Sequence, residues 1–232
     1  MPQRLSEVSK MRSFHFIRVF VLAAALMFVP AASFAGVFIS VNIAPPALPV
    51  YSQPLCPGDG YIWTPGYWAY GPGGYYWVPG VWVQPPMAGY LWTPGYWGWG
   101  GSAYIFHAGY WGPHVGFYGG VNYGFGYTGH GYEGGYWNHG AFPSNTSVNN
   151  INVRNVHNVY NRTVVVTPSH RVSYPGGRGG INDRANAQEE AAMREHRVPP
   201  TANQISHRDA ASRDRGQFAS VNHGRPQTAA MP

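Results

Sequence analysis

The chain has 232 residues, of which 16% are aromatic and only 10% are charged, and its formal net charge is +6 at pH 7. This charge is unevenly placed, because residues 36–150 contain no lysine or arginine, whereas 11 arginines and 6 acids follow residue 150. A nucleic-acid-binding surface interleaves basic and aromatic residues, so this separation argues against a nucleic-acid partner.

Residues 1–35 have the pattern of a bacterial export signal. Basic residues precede an 11-residue apolar run, Val19–Val29, and Ser33-Phe34-Ala35 supplies small residues for cleavage before Gly36. The run is shorter than the roughly 20 apolar residues that span a bilayer. We therefore expect a secreted chain that begins near Gly36 and has no integral membrane span after signal removal. A retained signal-anchor helix is the alternative.

Residues 36–60 predict one strand followed by a proline-rich connector. The stretch Val37–Ala44 alternates as a strand does, and prolines then recur through Pro57. Cys56 is the only cysteine, so no disulfide can form within one molecule. We interpret it as a buried or tolerated thiol, with an intermolecular disulfide as the alternative.

Four copies of an aromatic unit occupy residues 61–111. Most carry Tyr at the start, Pro-Gly at the centre and Trp at the end: Tyr61–Trp68, Tyr76–Trp82, Tyr90–Trp97 and Tyr104–Trp111. Their central glycines, Gly66, Gly80, Gly95 and Gly109, recur every 14 or 15 residues. The fourth unit is degenerate, with Phe106 in place of Trp and Ala108 in place of Pro. One register held over several columns indicates a true repeat.

The repeat predicts a mainly β fold, a small antiparallel aromatic-repeat meander. The units are rich in Trp, Tyr, Val and Ile, which favour strands, and are separated by Gly/Pro-rich turns. Proline lacks a ladder N–H and is tolerated at bulges. A one-residue bulge at Pro-Gly would place Trp63 and Trp68 on one face. The alternative makes each T-P-G-Y a turn, so that every unit is its own hairpin.

Three further regions complete the chain. Residues 112–147 are Gly/Tyr-rich and are either a loop-rich extension of the sheet or a low-complexity linker. Residues 148–166 are Val/Asn-rich and favour an extended segment, with a helix as the alternative. Residues 167–232 predict a polar, mildly basic, mostly disordered tail that is partly helical. Asp183 could cap one helix ending near Arg197, and a Thr201–Gln204 capping box predicts a second.

The Y-x-W-x-P-G-Y-W units resemble the repeat of bacterial WXXGXW (also written YXWGXW) repeat-containing proteins. The resemblance covers Tyr61–Trp111, and V-P-P-T-A-N-Q at 198–204 and S-V-N-H-G-R-P at 220–226 also look like longer members. It implies an exported protein of unassigned biochemical role and transfers no catalytic residues.

The residues themselves favour a protein that is not an enzyme and needs no cofactor. No nucleophile, phosphate-loop or dinucleotide motif appears. The histidines of the aromatic half match no compact metal motif: His107, His114, His130 and His139. His130 with Glu133 is the one local pair that merits a test.

The aromatic repeat is therefore the predicted source of function, and three interpretations are open. The tryptophans could form an adhesive surface that packs against envelope components or a second copy, a stacking platform for polysaccharide, or only a core. We predict an exported, non-enzymatic structural or interaction protein of the cell envelope, acting through an exposed aromatic repeat surface. It would be periplasmic, outer-membrane-associated or extracellular. Polysaccharide binding is the alternative. The predicted surface residues are Trp63, Trp68, Trp77, Trp82, Trp92, Trp97 and Trp111.

Overall fold

A computed structural model describes residues 39–165 and 171–232, so the predicted export signal, residues 1–35, lies outside the described residues. Within them, thirteen short strands and three short α-helices form, which confirms the mainly β prediction. The strands are β1 Ser40–Val41, β2 Ile62–Thr64, β3 Tyr67–Gly71, β4 Gly74–Val78, β5 Val81–Val83, β6 Leu91–Thr93, β7 Tyr96–Trp99, β8 Tyr104–His107, β9 Tyr110–Gly112, β10 Asn122–Gly124, β11 Tyr127–Thr128, β12 Ser144–Asn145 and β13 Val159–Tyr160.

The first two repeat units form one long antiparallel hairpin. β2 pairs with β5, and nearer the turn β3 pairs with β4. The register places Trp63 opposite Trp82 and Trp68 opposite Trp77. The first tryptophan of each unit therefore faces the last tryptophan of the other unit, and the two units are complementary to each other.

The third and fourth units repeat this arrangement. β6 pairs with β9 and β7 pairs with β8, which places Trp92 opposite Trp111 and Trp97 opposite Phe106. β1 joins the outer edge of β8, so the strand predicted over Val37–Ala44 is present in its described part. The antiparallel prediction is thus confirmed in a more specific form. The units pair two by two, and among the described strands β5 and β6 belong to different sheets.

The Pro-Gly pairs interrupt the strands symmetrically. In the first hairpin Thr64 pairs with Val81 and Tyr67 pairs with Val78, so two residues are unpaired on each strand. The predicted one-residue bulge does not form, and neither does the alternative in which each unit is its own hairpin. The pair Trp63–Trp82 lies in a different core cluster from the pair Trp68–Trp77. The single tryptophan face expected from a bulge is therefore absent from the first hairpin.

The Gly/Tyr-rich region is a loop-rich layer packed on the second hairpin. It contains the short hairpin β10–β11, and Tyr118, Tyr123 and Tyr127 within it are buried. Tyr123 donates its hydroxyl hydrogen to the Gly95 carbonyl (2.7 Å), and Tyr127 donates to the Trp92 carbonyl (3.0 Å). These bonds satisfy buried backbone acceptors beside the Pro-Gly interruption. The region is folded and buries tyrosines, so it is not a low-complexity linker, but among the described strands β10 and β11 pair only with each other and do not extend a repeat sheet.

The Val/Asn-rich segment is a folded strap of turns and extended backbone. Its last part forms β13, which pairs in parallel with β12. Val156 is fully buried beside Trp63, Trp82 and Cys56. Asparagine side chains stabilise the turns, as when Asn152 accepts the backbone N–H of Arg154 at 2.9 Å. Between residues 148 and 165 the described chain has no helix, so the extended prediction is the better of the two.

The tail contains α1 Ala187–Ala192, α2 Ala202–Ala211, a 3-10 turn Arg215–Gln217 and α3 Ala219–Asn222. The predicted Thr201–Gln204 capping box is present at the start of α2. α1 begins at Asn186, which forms a capping box with Glu189, and not at Asp183. No helix among the described residues is both long enough and apolar enough to cross a membrane.

The tail is docked on the repeats and is not disordered over its described residues 171–232. Val198 forms a two-way backbone bridge with Trp111, and Phe218 bridges Tyr76. Farther on, the Gly80 N–H donates to Ala229 and the Met231 N–H donates to Gly80. The tail differs from the prediction because backbone groups and indole N–H groups of the repeats form hydrogen bonds with it. These partners are distant in sequence, so composition does not reveal them.

Candidate functional site

The glycines of the repeat units are packing sites for tryptophan. A Cβ built on Gly66 would overlap the Trp77 indole and lie 2.9 Å from the Gly80 nitrogen. A Cβ on Gly80 would overlap the Trp63 indole and lie 3.0 Å from the Gly66 nitrogen. Each unit therefore lays its first tryptophan over the glycine of its partner unit, and the two strands approach where both lack side chains.

The second hairpin has the same arrangement. Trp92 covers Gly109, and Phe106 covers Gly95 with its Cζ 3.0 Å from the position of an added Cβ. The degenerate fourth unit keeps the architecture, because a smaller aromatic ring occupies the place that Trp77 takes in the first hairpin. The spacing of the W-x-x-G-x-W motif is thus explained by reciprocal Trp-on-Gly packing between paired units.

The opposed tryptophans also contact each other directly. The ring centroids of Trp63 and Trp82 are 5.3 Å apart and those of Trp68 and Trp77 are 5.2 Å apart, both in edge-to-face geometry. Trp92 and Trp111 lie 5.2 Å apart in a tilted arrangement. Offset and edge-on aromatic pairs of this kind add about 0.5–1.5 kcal/mol each beyond the area they bury.

All seven predicted surface tryptophans lie in the core, and none is more than 5% exposed. The exposed aromatic surface predicted for these residues is therefore corrected. Its physical reason is the reciprocal packing, together with coverage by the connector and the tail. Of the three interpretations of the tryptophans, the structure agrees with the one in which they form a core.

The indole N–H groups fasten distant segments to the repeats. Trp68 donates to the Ala47 carbonyl (3.1 Å) and Trp82 to the Pro54 carbonyl (2.9 Å), both in the connector. Trp97 donates to the Trp68 carbonyl (2.7 Å) and so joins the two hairpins. Two further indoles bind the tail: Trp77 donates to the Ala229 carbonyl at 2.9 Å and Trp111 donates to Gln204 Oε1 at 2.8 Å.

The motif V-P-P-T-A-N-Q forms the clamp on Trp111. Val198 pairs with the Trp111 backbone, Thr201 caps α2, and Gln204 accepts both the Trp111 indole N–H and the Thr201 backbone N–H. Sequence reasoning identified the capping box but missed this contact. The one signal in the sequence was Gln204 itself, because its side-chain oxygen can accept a second hydrogen bond in addition to the one from the Thr201 N–H.

A small aromatic cavity of about 180 Å³ lies beside the first Pro-Gly interruption. Tyr51, Trp77, Tyr123 and Phe125 line it, with Arg171 among the polar groups. Phe125 has a positive φ of 51° and lies between two glycines that also have positive φ. This left-handed backbone places the Phe125 ring against the Tyr51 ring. Burial raises the pKa of Tyr51 to about 12, which keeps its hydroxyl protonated at neutral pH. The space is sufficient for one ring-sized group.

Histidine–carboxylate contacts join the aromatic half to the tail. The local pair singled out for a test, His130 with Glu133, does not form. The Nδ1 of His130 lies 2.9 Å from Glu189 Oε1 and its Nε2 lies 2.8 Å from Asp183 Oδ2, while Glu133 binds Arg162. Glu189 is only 3% exposed, so His130, when protonated, is the cationic partner of a buried carboxylate.

The pKa of His130 is raised, and this predicts pH-dependent docking of α1. Burial lowers that pKa, but the hydrogen bonds and charges of Glu189 and Asp183 together outweigh the effect of burial. A raised folded-state pKa gives stabilisation that is full below the unfolded value of about 6.5 and is lost as pH rises through the folded value. We expect His130→Gln to lower the melting temperature more at pH 6 than at pH 8.

The matched control for this prediction is His114→Gln. His114 contacts Glu195 in the same tail at 2.9 Å, but its side chain is 72% exposed, so its removal should change stability little. Burial lowers the pKa of His107, which gives stability the opposite dependence on pH. This contribution is the same in the wild type and in both variants, so it cancels when the variants are compared with the wild type. Equal effects of His130→Gln at both pH values would contradict the assignment.

Among the described residues, Cys56 is a buried thiol that does not take part in a metal-ligand group. Cys56 is buried, its thiol hydrogen is directed to the Gly58 carbonyl at 3.3 Å, and burial raises the pKa of the thiol. This agrees with a buried thiol and disfavours an intermolecular disulfide. In residues 39–165 and 171–232, no group of three His, Cys, Asp or Glu side chains is placed to hold a metal.

Residues 58–83 and 88–111 match the WXXGXW repeat, described as two copies. Each match spans one hairpin, from β2 to β5 and from β6 to β9, so a copy consists of two paired units. No curated protein and no solved structure matches the chain. The chain thus contains two copies of the WXXGXW repeat, and each copy folds as a tryptophan-interlocked hairpin.

Proposed function

We propose that the protein is an exported, non-enzymatic structural or interaction protein of the bacterial cell envelope, in which the repeats build the scaffold and do not form the contact surface. The reciprocal Trp-on-Gly packing carries this proposal. In both hairpins the aromatic residues and glycines of the motif pack against each other and are not available to a partner. Their regular spacing is therefore needed for folding.

The arrangement of the other segments supports a scaffold role. Connector and tail are fastened to the two hairpins through indole and backbone hydrogen bonds. The largest buried side chains include five of the tryptophans, so a core of this kind needs no disulfide to be stable. The signal-like residues 1–35 support export.

Polysaccharide binding remains a second candidate because of the aromatic cavity. Tyr51 and Phe125, whose ring centroids are 5.2 Å apart, are partly exposed at its wall. Such faces stack on the apolar side of a sugar ring. This site would bind one ring and does not require the exposed row of tryptophans that the sequence suggested.

Export and binding are tested separately. Cell fractionation of the tagged chain should find it outside the cytoplasm, and Ala35→Arg should retain an uncleaved precursor. The purified protein is then titrated with neutral glycans while tryptophan emission and light scattering are recorded. Particle growth with protein concentration supports self-association, whereas a saturable emission shift abolished by Phe125→Ala supports the glycan candidate. Recovery of the wild-type chain in the cytoplasm would overturn the envelope assignment.

A further inference from the structure

Arginine carries the positive charge on the surface of the described chain. All 11 arginines after residue 150 are exposed, and no lysine occurs after residue 10. Arginine differs from lysine in presenting a planar fork of donors that matches carboxylate, phosphate and sulfate groups in bidentate geometry. The surface is therefore suited to oxyanion groups.

The acids of the tail do not neutralise most of these arginines, because they have other partners. Asp183 and Glu189 bind His130, and Glu195 binds His114. Glu190 and Asp209 pair with the neighbouring Arg194 and Arg208, while Asp214 caps the 3-10 turn through the Gly216 N–H.

Three arginines, Arg213, Arg215 and Arg225, lie on connected parts of the tail: the residues after α2, the 3-10 turn and the residues after α3. Asn222 connects these parts: its Nδ2 donates to the Gly216 carbonyl at 3.0 Å, and its own carbonyl accepts the Arg225 N–H at 2.9 Å. Asn222 thus links the segment that carries Arg225 to Gly216, the residue after Arg215, and Arg213 lies two residues before Arg215. Within the described residues no carboxylate is in salt-bridge range of the three, which we call the arginine corner.

The arginine corner is fixed to the repeat scaffold. Phe218, between the 3-10 turn and α3, bridges the backbone of Tyr76 and packs its ring 5.6 Å from the Tyr76 ring. Ala211, at the end of α2, is buried in the same cluster. The backbone that carries the three arginines is thus ordered before any ligand binds, which reduces the entropy lost on binding.

We propose that the arginine corner, formed by Arg213, Arg215 and Arg225, binds an anionic glycan through the carboxylate, phosphate or sulfate groups on its sugars. The nature of the polymer rests on the proposed envelope function. The corner deepens that function by supplying the contact surface that the buried tryptophans do not provide.

Two other polyanions fit the structure less well. Single-stranded nucleic acid is bound by aromatic side chains interleaved with basic ones, whereas the repeat tryptophans are buried. An interfacial membrane helix presents Trp, Phe or Leu along one face, whereas α3 has only four residues, Ala219–Asn222, none of them of these types.

The test compares two triple variants of the full chain. Arg213→Gln, Arg215→Gln and Arg225→Gln remove the corner, and Arg154→Gln, Arg178→Gln and Arg184→Gln remove the same charge from other exposed positions. Binding to polygalacturonate and dextran sulfate is measured by fluorescence anisotropy, with uncharged dextran, duplex DNA and vesicles containing phosphatidylglycerol for comparison. We expect the corner variant to bind the anionic glycans about tenfold more weakly and the control variant to change by about twofold or less. Higher salt should weaken wild-type binding.

Unchanged circular dichroism and tryptophan emission confirm that both variants are folded, as expected for exposed side chains. Equal weakening by the two variants would overturn the proposal, because net charge alone would then explain binding. Tighter binding to DNA or to vesicles than to both glycans would overturn it in favour of that polymer. A cytoplasmic chain that still binds polygalacturonate through the corner would refute the envelope assignment and leave the anion-binding role of the arginine corner intact.

Discussion

Gly66→Ala is expected to lower the free energy of unfolding by about 3 kcal/mol, which is at the upper end for overpacking of a core. The added methyl group would overlap the Trp77 indole and lie 2.9 Å from the backbone nitrogen of Gly80. The indole is confined by Trp68 at 5.2 Å and by its hydrogen bond to Ala229. The Gly80 backbone cannot rotate away as a flexible side chain would. Thermal or urea denaturation followed by tryptophan emission measures the loss.

Gly71→Ala is the matched control for this substitution. Gly71 also lies in a strand of the first hairpin, but a Cβ there would be 3.4 Å from the nearest atom, Tyr76 Cε1, which is an ordinary contact. Since alanine also reduces the entropy of the unfolded chain, the control should change stability by less than about 1 kcal/mol. If both variants lost the same stability, the packing account of the repeat glycines would be refuted.

The periodic part of the fold could be predicted from sequence because its information is local. Strand-forming residues, turn residues and a constant 14–15-residue spacing specify antiparallel units. The capping box at Thr201 was also readable, since its two residues lie three positions apart. The symmetric interruption at Pro-Gly could not be deduced, because whether one or two residues are skipped depends on the partner strand.

Exposure of the tryptophans could not be predicted because the pattern is the same for a platform and for a core. Trp63 and Trp68 are both hydrophobic and strand-forming, whatever covers them. What covers them is remote: the acceptor of the Trp77 indole is 152 residues away, at Ala229. Likewise His130 lies near Glu133 in sequence, but its carboxylate partners are 53 and 59 residues away. Contacts of this range leave no local periodicity.

These contacts give the tail a defined role in the fold. Each hairpin leaves a tryptophan indole and some backbone groups that need partners after the units have paired. The tail supplies Ala229 to the first hairpin and Val198 with Gln204 to the second. Its polar composition suits this role, because it provides hydrogen-bond acceptors to the repeats and leaves its arginines exposed to solvent. Hydrogen bonds to both hairpins therefore hold the tail in its docked position.

Deletion of residues 226–232 is expected to destabilise the protein by about 3 kcal/mol, although it removes only seven residues of the tail. It takes away the Ala229 carbonyl, which accepts the Trp77 indole N–H at 2.9 Å and the Gly80 N–H at 3.1 Å. A buried donor left without an acceptor costs about 1–3 kcal/mol. The Met231 N–H donation to the Gly80 carbonyl is lost as well. We expect a lower melting temperature and a red shift of tryptophan emission as water reaches Trp77.

Met231→Ala separates the backbone contribution from that of the side chain. It retains the backbone N–H that binds Gly80 and removes a side chain that is 39% exposed, so its cost should stay below about 1 kcal/mol. For the deletion of residues 226–232, a disordered segment predicts no change in melting temperature, whereas a docked segment predicts a decrease. A deletion variant with wild-type melting and emission would show that the segment contributes nothing to the repeat core, whereas the expected loss would show that residues 226–232 complete the packing of the first hairpin.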